Sequence, residues 1–319
     1  MGALSVGFLL GCEGGWPGRG PKILRLHDDQ IDALKINNAI AEFIFEAGYG
    51  YQVERLDLTT KEVQRMLVSG ELDLTLEAWT TSNRAWLERE TGRRTILDLG
   101  PMYGQGQEFW MIPAWVAQRY QIFSVADMRK HWRLFQDPED PTKGVFFNCI
   151  IGWTCSEINR IKLEAYGLDR YYNAISPSSP EALAAAFENA QLKQIPVFGY
   201  YWNPNAMMGL YQWQILSEPP HSETVWADVL AAEEDPSRRP LNEACEYEPG
   251  GAHKMVNRKF ADRAPDLLTV LRRIHLDIDI LNELLLRNRV SDAEAWADLA
   301  RYFFRRYPDQ WHPWVTPEA

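Results

Sequence analysis

The chain has 319 residues, 46% hydrophobic and 24% charged, a length and composition that suit two packed cores and exclude a disordered chain. The formal net charge of −11 argues against nucleic acid or an anionic lipid surface as a partner and suits a cationic ligand. No apolar run reaches the roughly eighteen residues of a membrane span.

Taken in order, Ala3 to Leu10 is a short apolar stretch that runs into Leu9-Leu10-Gly11-Cys12 and a Gly- and Pro-rich segment. The tetrapeptide is similar to a bacterial lipobox, which makes Cys12 the expected lipidation site. The basic stretch that should precede the apolar run is missing. Either the true start lies upstream or the match is chance. Residues 1–21 are therefore set apart as signal, lipobox and linker.

Lys22 to His27 reads as a strand, and Ile36, Ile40, Phe43, Ile44 and Ala47 recur at helical spacing until Gly48 and Gly50. Tyr51 to Leu58 is a second strand, Thr60 the expected cap of a short helix ending at Gly70, and Leu72 to Leu76 a third strand. This alternation predicts a parallel α/β sheet. Ligands of such sheets sit beyond the carboxyl ends of the strands, where Trp79 falls. Glu108 to Pro113 and Ile122 to Met128 follow, then a strand over Val145 to Asn148, a helix over Ser156 to Tyr166 and an alanine-rich helix over Pro180 to Ala190. Ile195 to Trp202 is a strand, and Gln214 to Leu216 a short one. Residues 217–251 are mostly loop with one helix near Thr224 to Ala232, and the chain is largely helical after His253 to Asn257.

Two α/β units, with the chain returning to the first, predict a clamshell. Lobe one is expected over 22–109 plus 252–319 and lobe two over 110–251. Cys149 and Cys155 flank a loop without helical or strand period. In an oxidising compartment they can close a small ring, and in a reducing one they would be two buried thiols. Cys245 is left over, and no cysteine or histidine spacing fits a metal site.

Three tryptophans stand beside strand ends or turns: Glu77-Ala78-Trp79, Gly152-Trp153-Thr154-Cys155 and Gly199-Tyr200-Tyr201-Trp202-Asn203-Pro204. Indole faces brought together suit a cation that cannot be hydrogen-bonded, such as a quaternary ammonium group. Trp115, Trp132, Trp213, Trp226, Trp296, Trp311 and Trp314 are read as packing residues. Nothing resembles a reaction centre. The six histidines are scattered, no nucleophile elbow or phosphate-cradling glycine loop occurs, and Asp28-Asp29 reads as a solvated turn. No catalytic residue, cofactor or metal is expected.

The same motifs, together with Gly48-Tyr49-Gly50-Tyr51-Gln52-Val53-Glu54, Ser69-Gly70-Glu71-Leu72-Asp73, Gly104-Gln105-Gly106-Gln107-Glu108 and Met255-Val256-Asn257-Arg258-Lys259-Phe260, follow one another in an order that carries a family signature. Over most of 22–315 the chain resembles the substrate-binding proteins of ABC importers for glycine betaine, proline betaine and related compatible solutes. The resemblance implies a bilobal periplasmic-binding-protein fold of the type II clamshell class, with a ligand cleft between two α/β lobes. It implies a non-enzymatic, monomeric protein outside the cytoplasm that delivers its solute to a permease and its ATPase. Carried over by position, it implies an aromatic box of Trp79, Trp153 and Trp202; Tyr103, Tyr201 and Trp110 are candidates for further walls. The ligand's carboxylate would meet the backbone N–H groups of Thr154 and Cys155, and Cys149–Cys155 would be a disulfide.

Three departures put the far end of the ligand in question. Asn83 stands where some members place a histidine, Thr154 where glycine is frequent, and Asn205-Ala206 where a second tryptophan often follows Pro204. The alternatives are a sensory or orphan receptor on the same clamshell and, remotely, a carbohydrate-active protein with aromatic platforms.

Overall fold

The computed structural model describes residues 22–290 and 296–316; the segment 1–21, with Cys12, lies outside the described residues. Among the described residues nine strands form one continuous sheet: β1 Lys22–Asp28, β2 Tyr51–Asp57, β3 Leu74–Trp79, β4 Ile96–Pro113, β5 Gly144–Phe147, β6 Tyr172–Ile175, β7 Gly199–Asn203, β8 Trp213–Ile215 and β9 Gly250–Asn257. Their order is β2-β1-β3-β9-β4-β7-β5-β6, with β8 paired to β4.

The sheet is mixed where the sequence predicted a parallel one. β1 pairs in parallel with β2 and β3, and β5 with β6 and β7. Between these parallel groups β9 and β4 run antiparallel to their neighbours. The 18-residue β4 joins the halves. Its first part, Ile96 to Gly106, pairs with β9, and Gln107 to Met111 pairs with β7. Alternation read from Glu108 onward finds only the end of this strand, because the stretch before it contains Gly100, Pro101, Gly104 and Gly106 and three register shifts against β9.

Helix ends follow the local chemistry, with small corrections to the expected bounds. Helix Asp32–Tyr49 stops at Gly50, whose φ of 68° satisfies two terminal carbonyls. Helix Thr60–Ser69 is capped by Thr59 rather than Thr60, since Thr59 and Glu62 form a reciprocal capping box. β3 starts later than predicted, at Leu74, and so reaches Trp79 itself. Helix Thr154–Ala165 starts two residues early, which brings Thr154 and Cys155 into its first turn behind the N-cap Trp153.

Two large cores flank the cleft. One contains Leu24, Leu26, Leu34, Ile40, Leu74, Val256, Leu267, Leu284, Phe303 and Trp314. The other contains Trp110, Met111, Phe146, Ile158, Phe198 and Trp226. The first draws on both ends of the chain and the second on its middle. β4 leads out of the first half and the return to β9 leads back.

Candidate ligand-binding cleft

Between the halves lies a cleft of about 670 Å³, part of it open to solvent. Trp79, Trp153 and Trp202 all line it, each delivered by a different element. Trp79 is the last residue of β3, Trp153 caps the helix Thr154–Ala165, and Trp202 lies in β7. Trp153 and Trp202 meet edge to face with ring centroids 5.6 Å apart. Trp202 is buried and stacks on Tyr201 at 4.9 Å, while Trp79 and Trp153 remain partly open to the cleft. The Trp79 N–H bond to Glu77, the stacking of Trp202 on Tyr201 and the edge contact of Trp153 with Trp202 hold the ring planes, so their faces are set before a ligand arrives.

Thr154, Cys155 and Asn83 also line the cleft. The first N–H groups of a helix lack intrahelical acceptors, so the Thr154 and Cys155 amides are donors suited to an anionic or hydroxyl group. Asn83 is less available. Its Nδ2 donates to the Trp79 carbonyl at 2.9 Å, and its Oδ1 accepts from Gln64 at 2.9 Å and from Thr154 Oγ1 at 3.4 Å. Its amide ties one side of the cleft to the other. Cys149 and Cys155 form a disulfide under this floor, and Cys245 is a buried free thiol.

Tyr103, Tyr201 and Trp110 do not line this cleft, and that corrects the expectation of extra walls. Tyr103 is buried behind Trp79, in edge contact at 6.2 Å, and donates its O–H to Glu77. Tyr201 stacks on Trp202 outside this cleft and lines a separate hollow with Trp202, Asn205 and Arg289. Trp110 is fully buried, with its N–H on Asn159.

Other lining residues were not anticipated: His27, Asp29, Ile31, Gln64, Ser82, Trp86, Glu108 and Tyr200. Asp29 corrects the reading of Asp28-Asp29 as a solvated turn. Asp28 faces Arg55, whereas Asp29 turns into the cleft, where burial pushes its carboxyl up to about 7. The signal was its place just past the carboxyl end of β1.

The charged groups have a single sign. Asp29, Glu77 and Glu108 line the cleft, and among the described residues no lysine or arginine does. Glu77 is raised to about 7, chiefly by burial, with the Asp29 charge adding to it. Glu108 is raised by burial and accepts from Thr81, Ser82 and Tyr200. Burial holds His27 at about 4, so it is neutral at physiological pH. Aromatic faces backed by carboxylates can stabilise a desolvated cation. Elsewhere His221, Glu223 and Glu248 bring donor atoms within 4.8 Å of one another, but Arg84 already pairs with both carboxylates.

Residues 28–306 match the family model described as the substrate binding domain of an ABC-type glycine betaine transport system. The chain belongs to this family. No curated protein sequence matches it. Among solved structures it is similar to a glycine betaine/L-proline-binding protein from Borrelia burgdorferi, at 17% identity and a TM-score of 0.72, over 92% of this chain and 98% of that one. A choline-binding protein crystallised with choline matches at 15% identity and a TM-score of 0.74, over 92% and 91%. A lactococcal betaine-binding domain, closed on glycine betaine, matches at 13% identity and a TM-score of 0.71, over 92% and 100%. At these identities the structures establish the bilobal type II clamshell fold. A substrate-binding member of this family is a non-enzymatic, extracytoplasmic component that takes up a small solute for a permease and its ATPase. No described helix is long and apolar enough to cross a membrane.

Proposed function

We propose that the protein captures a small quaternary-ammonium solute, glycine betaine or a close relative, with the methylated head against Trp79, Trp153 and Trp202. The convergence of three indoles from separate elements on one cleft carries this reading. A desolvated cation–π contact is worth about 2 kcal/mol, and a micromolar dissociation constant needs about 8 kcal/mol, so three faces and a few hydrogen bonds reach that scale. The far end of the solute meets the Thr154 and Cys155 amides. Lobe one comprises 22–109 plus 252–319 and lobe two 110–251, a division supported by the two cores. The protein works as a monomer, exported behind the 1–21 segment and tethered through Cys12.

The lining favours a second reading for the far end. A zwitterion brings a carboxylate into a cleft that holds Asp29, Glu77 and Glu108 and, among the described residues, no basic side chain. A choline-like amino alcohol avoids that repulsion, and its hydroxyl can still use the amides at the helix start. Calorimetry with glycine betaine, proline betaine, carnitine and choline tests both readings. Binding of any of them supports the box, and the order of affinities decides the far end. Failure of all four overturns the quaternary-ammonium assignment.

A further inference from the structure

We propose that Glu77 is the positioning residue of the cleft: its carboxylate holds the Trp79 indole by the N–H edge and places fixed negative charge behind that ring, so that the site selects a cation over a neutral molecule of the same shape. The proposal rests on the aromatic-box reading above.

The geometry begins with the strand. Glu77 and Trp79 stand two apart at the end of β3, past an irregularity in its pairing with β9 between Thr75 and Ala78. Glu77 Oε1 accepts the Trp79 Nε1–H at 3.0 Å and also the Tyr103 O–H. Glu77 Oε2 accepts from Asn37 at 3.4 Å, and the Glu77 N–H rests on Thr75 Oγ1 at 3.1 Å. Thr75 in turn meets His27 Nδ1 at 2.8 Å. The carboxylate is thus fixed by three side-chain donors and still lines the cleft.

An anion at the N–H edge of an indole does two things. It fixes the ring plane, because the donor must point at it. It also lies at the positive rim of the ring quadrupole and complements the negative face that a cation meets. A buried carboxylate serving stability alone has no reason to reach the cleft wall, or to take as its donor the one indole that ends the strand there.

Binding is measured with choline and with its neutral carbon isostere 3,3-dimethylbutan-1-ol. In the wild-type protein choline binds far more tightly. Glu77→Gln keeps an acceptor for Trp79 and removes the charge. It is expected to weaken choline about tenfold or more, the scale of one lost charge contact, and to leave the isostere unchanged. The Trp79 indole N–H proton resonance, assigned with a Trp79→Phe variant, is expected to move in Glu77→Gln.

A wild-type pH series keeps the proposal open to refutation if that variant does not fold. Asp29, His27 and Glu108 share the cleft with Glu77, and Tyr103 and Asn37 pack against it. Choline affinity and the indole resonance are expected to titrate together, with affinity rising as pH rises through about 7. Unchanged choline affinity in Glu77→Gln, or affinity that titrates while the indole resonance stays still, overturns the role of Glu77. Wild-type protein that binds no quaternary amine at any pH overturns the box reading instead.

Discussion

Lys61 donates to Glu233 at 2.8 Å between the two halves, from helix Thr60–Ser69 on one side to helix Glu223–Glu234 on the other. It is one of five ion pairs between the halves among the described residues. Arg84 reaches Glu223 and Glu248, Arg89 reaches Glu234 at 2.7 Å, and Arg289 reaches Glu188. In every pair the cation comes from the half holding the chain's two ends and the carboxylate from the middle half.

A seam with one polarity favours the closed arrangement, and it is mostly solvent-exposed, so salt screens it. Solute affinity is therefore expected to fall as ionic strength rises. Lys61→Glu should weaken binding by about two- to fivefold, the scale of one exposed ion pair, and adding Glu233→Lys should restore it. Calorimetry at 20 mM and 500 mM salt (about 20 Å and 4 Å of screening length) checks both. A salt-independent affinity would count against electrostatic closure.

The three tryptophans should separate when each is replaced by alanine. All three variants are expected to lose solute affinity by about thirtyfold, the equivalent of one desolvated cation–π face. Stability should divide them. Trp202 is 4% exposed and stacked on Tyr201, so Trp202→Ala opens a cavity and should cost about 3–5 kcal/mol. Trp79 and Trp153 are partly open, and their variants should melt close to wild type. Parallel thermal melts and titrations distinguish wall from core.

Glu77 should also mark the pH dependence of the unliganded protein. Its folded pKa of about 7 exceeds the ordinary 4.5, so the folded state binds more protons between those values. Stability contributed by the protonated group is present below 4.5 and is lost as pH rises through about 7. Glu77→Gln cannot ionise. The rotated Asn37 amide can serve its new N–H₂ group, because Asn37 Oδ1 has no partner among the described residues. The variant should therefore be the more stable protein at pH 8 and lose that advantage near pH 5. His27, held at about 4 against an ordinary 6.5, acts in the opposite sense, but it is common to both proteins and leaves the difference unchanged. Apo melting temperatures across this range check the sign.

Much of this site could be read from the sequence because it rests on local rules. Trp79 and Trp202 stand near the ends of strands and Trp153 precedes a helix, and those elements announce themselves by period and cap. Asp29 sits just past a strand end but looks like any acidic turn, since only the packing of β1 against its neighbours turns it inward. Glu108 and Ser82 are far apart in sequence and meet only through the β4 crossing. Asn83 and Tyr103 could be named but not assigned, because whether an amide or a phenol is free depends on partners that no spacing reveals. The antiparallel insertion of β9 was hidden for the same reason. It returns from the far end of the chain.

That insertion depends on Gly251. A Cβ there would lie 2.3 Å from the Tyr103 carbonyl oxygen and 3.1 Å from Gly104 Cα, both backbone atoms of β4. Neither strand can yield without loosening the crossing that joins the halves. Gly251→Ala is therefore expected to destabilise by about 1–3 kcal/mol or more, the usual range of an overpacked site. Gly48, near the end of helix Asp32–Tyr49, has nothing within 4 Å of its added Cβ, so Gly48→Ala should gain about 0.5–1 kcal/mol. The first change should reach the ligand as well, since Tyr103 bonds the same carboxylate oxygen that holds the Trp79 indole. Denaturant titrations with solute-binding calorimetry test the pair. Gly251→Ala should lose both stability and affinity, and Gly48→Ala should keep its affinity; equal behaviour of the two variants would remove the crossing from any part in shaping the cleft.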